Sequence, residues 1–197
     1  MERSPSMRRP EDLKEDTGER GRVLLALARE SLEAALGRGE VRPRGEPWLR
    51  EQGATFVTLR EGGELRGCVG SIYAHRSLGE DVVANARAAA LYDSRFPPVS
   101  PGELPRIQVE VSLLSPPVPL PAASEAEAIA RLRPGVDGVI LEEGPARATF
   151  LPQVWEQLPE PQRFLSFLRQ KAGLRPDAWS PSTRLWTYAV TKWEEER

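Results

Sequence analysis

Apolar residues recur every three or four positions in several parts of the chain, the spacing that collects them on one face of an α-helix. The clearest stripe, Leu24, Ala28, Leu32 and Leu36, predicts a first helix that starts at Glu19 and ends before Gly37. Two later stripes each begin with Ser-x-x-Glu, the capping-box pattern that starts a helix. The further helices are predicted over residues 77–92, 124–133 and 162–172.

Other segments alternate apolar and polar residues, or are rich in β-branched and aromatic residues, as β-strands are. Glycine-containing turns at Gly62-Gly63 and Gly144-Pro145 predict two hairpins. The strands are predicted over residues 54–61, 64–71, 107–113, 136–142, 146–151 and 183–193. Hairpins need antiparallel pairing, so we expect an α+β protein with a mainly antiparallel sheet and flanking helices. In the strand over 107–113, the alternation predicts that Glu110 points to the face opposite the core.

The length of 197 residues suits one domain, which we place at residues 19–194. Residues 1–18 mix both charge signs with two prolines and few apolar residues, which predicts a disordered tail. Residues 116–121 alternate proline with Val118 and Leu120, and we expect polyproline II there. Such a segment would make a stiff crossing near 115–121 between two lobes of the domain.

The charge balance gives no reason to expect nucleic-acid binding. Lys and Arg number 27 against 29 Asp and Glu, for a formal net charge of −2. The best local basic patch, which surrounds Trp48, consists of Arg38, Arg42, Arg44 and Arg50. Glu40 and Glu46 dilute this patch, so we interpret it as a solvated loop rather than a basic footprint.

Cys68 is the only cysteine and His75 the only histidine. An internal disulfide and a thiolate-rich zinc site are therefore excluded within this chain, and we predict no metal and no cofactor. The N-terminal residues have no apolar core of the kind found in signal peptides. These features predict a cytoplasmic protein without a membrane span.

The segment Leu65-Arg66-Gly67-Cys68-Val69-Gly70 resembles the signature hexapeptide of the AMMECR family, with Val69 where isoleucine is more usual. Similarity to the family extends over about residues 21–193, which makes it more specific than a lone hexapeptide. The other matching segments are residues 93–98, 109–112, 135–138, 149–155, 164–165 and 171–174. The resemblance implies a two-lobed α+β fold. In bacteria it points to component A of the AmmeMemoRadiSam system, encoded beside a Memo-like protein and a radical SAM enzyme.

The hexapeptide supplies the first candidate site residues. Cys68 is the candidate catalytic residue if its thiol is accessible, and otherwise it is a small buried hydrophobe. Gly67 and Gly70 either let a ligand or partner backbone approach, or accommodate a bulge or a crossing helix. Arg66 is a candidate to lower the pKa of the thiol or to bind a carboxylate or phosphate. Its side chain is expected to contact Cys68 only if the strand bulges.

Four further residues are candidates for substrate or partner binding. His75 follows the strand and is either a base for a Cys-His pair or a solvated loop residue. Asp93, Arg95 and Glu110 either converge with Arg66 in a polar cleft or form structural ion pairs.

Three functions remain open from the sequence. The first is an accessory or substrate-handling component of a modification system with the Memo-like and radical SAM partners. The second is an autonomous thiol enzyme that uses Cys68. The third is an RNA- or protein-binding regulatory module without catalysis.

Overall fold

The computed structural model describes residues 10–196, with side chains from Thr17 onward. In that part of the chain, helices and antiparallel strands alternate, which confirms the α+β class. The helices are α1 (Pro10–Ala35), α2 (Leu78–Leu91), α3 (Glu125–Arg131) and α4 (Pro161–Lys171). The strands are β1 (Ala54–Glu61), β2 (Glu64–Gly70), β3 (Ile107–Leu114), β4 (Val118–Pro119), β5 (Gly138–Glu143), β6 (Ala146–Phe150), β7 (Arg184–Tyr188) and β8 (Val190–Glu194).

The chain divides into two compact units. Among the described residues, the first contains those up to Leu113 and the C-terminal segment from Lys192, and the second contains Leu114–Thr191. Each unit has its own four-stranded sheet, with strand order β2-β1-β3-β8 in the first and β4-β7-β5-β6 in the second.

In the first unit, α1 and α2 cover one face of the sheet. Leu24 and Leu32 of α1 and Val82 of α2 are fully buried in one core with Val57 of β1 and Val109 of β3. These strand residues alternate with side chains that point away from the helices, because successive residues of a strand face opposite sides. Every other position of β1 and β3 is therefore available to form a second, polar face.

A buried carboxylate ties the start of α2 to the sheet. Asp81 is fully buried and accepts hydrogen bonds from Thr55, Ser71, Asn85 and Arg76, at 2.6–2.9 Å. A buried charge is tolerated when it is paired and fully hydrogen-bonded, as here. The predicted capping box is also present, since the Ser77 side chain and the Glu80 side chain each accept from the other's backbone N–H.

In the second unit, α4 packs against the sheet through Phe164, Leu165 and Leu168, all fully buried. Phe164 stacks on Trp155 with ring centroids 3.7 Å apart. The predicted hairpin is formed by β5 and β6, and Gly144 takes the positive φ of 57° that the turn requires.

The last predicted strand is two strands in the structure. The predicted strand over 183–193 is divided at Ala189 into β7 and β8, which belong to different sheets. The break occurs because Ala189 bonds to Ser115 instead of a strand, through its N–H to the Ser115 hydroxyl and its carbonyl to the Ser115 N–H. Strand propensity alone does not reveal such a change of partner.

The proline-rich crossing near 115–121 pairs with the second sheet. Val118 and Pro119 form the short strand β4 against Thr187 and Trp186 of β7. Proline is compatible with this position because β4 lies at the edge of the sheet, where a missing N–H costs no ladder bond.

At the other end of the chain, α1 begins at Pro10 rather than at Glu19. Proline is tolerated in the first turn of a helix, and a formed helix extends at little cost into a polar segment. Residues 1–9 of the predicted tail lie outside the described residues.

Candidate functional site

Cys68 lies on the sheet face that points away from α1 and α2. Thr58 of β1 is its cross-strand partner, and the side chains of Glu110 on β3 and Lys192 on β8 lie on the same face. These four residues, Thr58, Cys68, Glu110 and Lys192, are called the Cys68 face below. They come from four different strands, so the face is assembled by the sheet rather than by the hexapeptide alone.

The backbone of Cys68 is held by an ion pair outside the sheet. Because β2 is an edge strand, the outward N–H and C=O of Cys68 have no neighbouring strand. The Cys68 N–H donates to Asp93 Oδ2 at 2.8 Å, and Arg95 donates to the Cys68 carbonyl at 3.2 Å. Arg95 also donates to both carboxylate oxygens of Asp93, at 2.9 and 2.7 Å. At Cys68, the side chains of Asp93 and Arg95 thus make the two backbone hydrogen bonds that a neighbouring strand would otherwise make.

The Cys68 thiol is half-buried and accepts a hydrogen bond from the Thr58 hydroxyl, with Oγ1 and Sγ 3.4 Å apart. Burial raises the pKa of this thiol, because the charged thiolate loses solvation. The Thr58 hydrogen bond and the charge of Arg95 lower its pKa, while Glu110 and Asp93 raise it, and the net shift is upward. The site therefore favours the protonated thiol at neutral pH.

Asp93 and Arg95 stabilise each other's charged forms in the folded protein. Hydrogen bonds from Arg95 and from the Cys68 N–H hold the pKa of Asp93 well below its usual range. The same pairing raises the pKa of Arg95. The carboxylate is nearly buried, whereas the Arg95 side chain is 54% exposed. Arg95 therefore anchors Cys68 and still presents a charge to solvent.

Glu110 does point away from the helix core, as the alternation predicts, but its side chain is only 3% exposed. The alternation predicted the face of Glu110 but not its burial on that face. Its carboxylate lies 3.3 Å from Lys192 Nζ and 3.8 Å from Arg60 Nε. A buried carboxylate needs such partners, and two cations supply them here.

Arg66 does not join the Cys68 face. A β-bulge shifts the pairing between Leu59 and Arg60, which leaves Arg66 without a cross-strand partner. Its guanidinium donates to Glu103 at 2.7 Å, and Glu103 also accepts from Ser100. Those contacts lower the pKa of Glu103 to about 2. Arg95, rather than Arg66, is the arginine whose charge acts on the thiol.

Gly67 and Gly70 are explained by contacts within the chain. A Cβ atom on Gly67 would lie 2.3 Å from the carbonyl oxygen of Ala89 in α2. A Cβ atom on Gly70 would lie 2.2 Å from the ring of Phe56 and 2.5 Å from the Thr55 carbonyl oxygen. Gly67 accommodates α2, as expected for a crossing helix, whereas Gly70 accommodates the neighbouring strand β1. Neither glycine needs a ligand to account for it.

His75 is separate from the thiol. It is exposed, and its Nδ1 lies 3.0 Å from the Tyr73 carbonyl oxygen, two residues earlier. Its charge is not among the groups that act on Cys68. Nothing in this geometry makes His75 a base for the thiol.

The described part of the chain offers no obvious place for a metal ion. Among these residues, no group of three or more His, Cys, Asp or Glu side chains converges. None of the helices in the same range is long and apolar enough to cross a membrane.

Two residues of the Cys68 face, Thr58 and Lys192, were not among the predicted residues. Thr58 could have been found from the hairpin, because counting outward from Gly62-Gly63 places it within one residue of the position opposite Cys68, and the bulge accounts for the difference. Lys192 lies on β8, and Glu103, which pairs with Arg66 instead, precedes β3. Both are far from the hexapeptide in the chain, and no local spacing reveals them.

The chain is similar in sequence to known proteins. A sequence model of the AMMECR1 family matches residues 25–193. A protein from Methanothermobacter thermautotrophicus is 40% identical over 181 residues, covering 89% of this chain and 94% of that protein. A second relative, from Thermofilum pendens, is 40% identical over 177 residues, covering 83% of each.

The fold agrees with a solved structure. The crystal structure of an uncharacterised protein from Pyrococcus horikoshii aligns with a TM-score of 0.84 and 34% identity, over 90% of this chain and 92% of that one. A family match across most of the chain and a closely similar fold support the same assignment. The chain belongs to the AMMECR1 family.

Proposed function

We propose that this protein is an accessory, substrate-handling component of a modification system in which a Memo-like protein and a radical SAM enzyme carry out the chemistry. The observation that supports this best is the state of Cys68. Its pKa is raised by burial, its nearest hydrogen-bond partner is a hydroxyl, and no histidine acts on it. A thiol in this state is poorly set up to react alone, which favours a role that another protein completes.

An autonomous thiol enzyme would need the opposite environment. The thiolate is the nucleophile, and reactive cysteines have a lowered pKa or an adjacent general base. Arg95 alone lowers the pKa of Cys68 by charge, and burial outweighs it. The thiol-enzyme alternative is therefore the less favoured function.

The Cys68 face has features that suit handling of a substrate or a partner segment. Arg95 and Lys192 are 54% and 41% exposed, so both present positive charge to solvent, Arg95 next to Cys68 and Lys192 next to Glu110. Each is held in place by a carboxylate, Asp93 or Glu110, which fixes its position before a ligand arrives. Such an arrangement favours an anionic group on the substrate or on the partner protein.

A regulatory RNA-binding module is a weaker candidate. The formal net charge is −2, and nucleic-acid sites normally combine many clustered cations. Asp93 and Glu110 offset the charges of Arg95 and Lys192, so the two cations can bind one anionic group but do not form the clustered excess of charge that a polyanion needs. We therefore expect any complex of this face to involve a protein or a small substrate.

The proposal is tested by reconstitution with purified Memo-like and radical SAM partners and mass spectrometry of candidate substrates. We expect modification only when this protein is included, and loss of modification with Cys68→Ser. Glu64→Gln lies on the same strand, is exposed, and serves as the matched control. Circular dichroism and thermal unfolding would establish that each variant is folded.

Two results would count against the proposal. If modification proceeds equally well without this protein, it is not a component of that reaction. If Cys68→Ser and Glu64→Gln both keep full turnover, the protein takes part but the Cys68 thiol does not.

A further inference from the structure

We propose a second binding site in the first unit, independent of the Cys68 face, that takes a small organic phosphate. The site is a pocket of about 260 Å³ with an apolar floor and an arginine rim. Leu27 and Leu49 are buried in the floor, beside Val83 of α2. The rim carries Arg42, Arg44 and Arg50, and this cavity is called the arginine pocket below.

The walls of the arginine pocket are fixed by hydrogen bonds. The Leu78 N–H donates to the Glu51 carbonyl at 2.8 Å, which joins the start of α2 to the 3₁₀ turn Pro47–Arg50. The Ser31 hydroxyl donates to the Val83 carbonyl at 2.8 Å, which joins α1 to α2. The pocket is therefore preformed, and a ligand would not need to order its walls.

The rim has more positive charge than its carboxylates offset. Arg44 donates to Glu30 at 2.8 Å, and its Nε is buried without a hydrogen-bond partner. Arg42 is 82% exposed, with its Nε 4.0 Å from the same Glu30. Arg50 is exposed, and its side chain makes no hydrogen bond or ion pair with the rest of the described chain. The rim thus has three guanidinium groups against two carboxylates, Glu30 and the pocket-lining Glu80.

The start of α2 forms one wall of the pocket. The N–H groups of Leu78 and Glu80 donate to the Glu51 carbonyl and the Ser77 hydroxyl, which fix this wall in place. Gly79 lies between them and lines the pocket without a side chain. The Glu80 carboxylate also lines the pocket and accepts from the Ser77 hydroxyl at 2.6 Å and from the Ser77 N–H, so it counts among the negative charges of the rim.

These donors fit a phosphate monoester better than a carboxylate. A phosphate monoester carries about two negative charges and three terminal oxygens, which match the planar donors of Arg42, Arg44 and Arg50. Arg50 has no carboxylate partner among the described residues, and Arg42 and Arg44 share one. The apolar floor fits the organic group attached to the phosphate. The small volume excludes an extended chain such as a nucleic acid from the pocket itself.

The test is calorimetric titration of the full chain with phenyl phosphate, with inorganic phosphate and benzoate as comparison ligands. We expect saturable, salt-sensitive binding that is tightest for phenyl phosphate. Arg42→Gln and Arg50→Gln should each weaken it about tenfold, the effect of losing one hydrogen bond to a charged group. Arg38→Gln removes an arginine of the same loop that does not line the pocket and should leave binding unchanged.

Several outcomes would overturn the inference. No saturable binding of phenyl phosphate at millimolar concentration would remove the site. Equal affinity in the pocket variants and the parent, or an equal loss in Arg38→Gln, would show that the pocket is not responsible. Benzoate or inorganic phosphate binding as tightly as phenyl phosphate would refute the organic phosphate as the ligand class. Thermal unfolding of each variant would separate loss of binding from loss of fold.

Discussion

At the scale of single residues, Arg95 and Glu110 act on the Cys68 thiol with opposite signs. Arg95 lowers its pKa and Glu110 raises it, while burial sets the upward direction overall. Arg95→Gln should therefore raise the pKa of Cys68 further, because the thiolate loses a nearby positive charge. Glu110→Gln should lower it, because a negative charge is removed and Lys192 and Arg60 lose their carboxylate.

These opposite shifts can be followed by thiol alkylation over a range of pH in the two variants. The parent protein in denaturant provides the reference for an unperturbed thiol. Shifts of the same sign in Arg95→Gln and Glu110→Gln would contradict the electrostatic account of the site.

The ion pair of Arg66 with Glu103 should make the stability of the protein depend on pH in the acid range. The pKa of Glu103 falls from 4.5 to about 2 in the folded state, so this pair stabilises the protein above pH 4.5. That stabilisation is lost as pH falls from 4.5 towards 2, when the carboxyl becomes protonated. Glu103→Gln should cost about 1.5–3 kcal/mol of unfolding free energy at pH 7, the range for a hydrogen bond to a charged group.

The difference in unfolding free energy between Glu103→Gln and the parent should then narrow as pH falls, in denaturant titrations from pH 7 to 2. Glu64→Gln, on an exposed position of β2, should change little at any pH. A difference between parent and Glu103→Gln that is constant with pH would show that the pair does not titrate in this way.

At the level of elements, β2 packs closely against α2 because Gly67 has no side chain at the point of contact. Gly67→Ala would put a Cβ 2.3 Å from the Ala89 carbonyl oxygen, which is backbone and has little room to move. We expect destabilisation by about 1–3 kcal/mol, as for other overpacked sites. Gly45→Ala, where a Cβ meets nothing within 4 Å, is the control and should unfold close to the parent in thermal and denaturant melts. Equal stability of both variants would mean that α2 does not hold β2 through this contact.

Elements with their own local signals were predictable from sequence. The Ser77-to-Glu80 spacing set the start of α2, and Gly62-Gly63 set the hairpin of β1 and β2, because caps and turns depend on neighbouring residues. The division of β7 from β8 at Ala189 was not predictable, since it depends on Ser115, far away in the chain. The burial of Glu110 was not predictable either, because it depends on residues of other strands. The alternation within β3 shows which face Glu110 is on but not what covers that face.

The candidate site was predicted only in part. Cys68, Asp93, Arg95 and Glu110 do converge, the first three through direct hydrogen bonds. Arg66 and His75 have other partners, because a bulge and an exposed loop place them elsewhere. Register and bulges are set by pairing across strands, so they cannot be derived from the spacing within one strand.

At the scale of the whole molecule, the C-terminal strand completes the first unit. Strand β8 is the edge strand of the first sheet and pairs with β3, and its Lys192 forms an ion pair with Glu110. Just after β8, the Glu195 carboxylate accepts hydrogen bonds from Arg29 and from the Val109 N–H. A chain that ends at Ala189 should lose about 3 kcal/mol or more of stability, because buried Glu110 loses a cation and β3 loses a partner strand. A chain that ends at Glu195 keeps these contacts and is the control. Equal unfolding midpoints in denaturant for the two truncations would contradict this role of β8.

In the isolated protein, Cys68 is a protonated thiol without a base of its own. The most direct test is the rate of iodoacetamide modification of Cys68 in the isolated folded protein, measured from pH 6 to pH 11. The account predicts that reactivity begins at higher pH than in the denatured chain, because burial disfavours the thiolate. Rapid modification at neutral pH, with an onset below that of the denatured chain, would contradict it and favour an autonomous thiol enzyme.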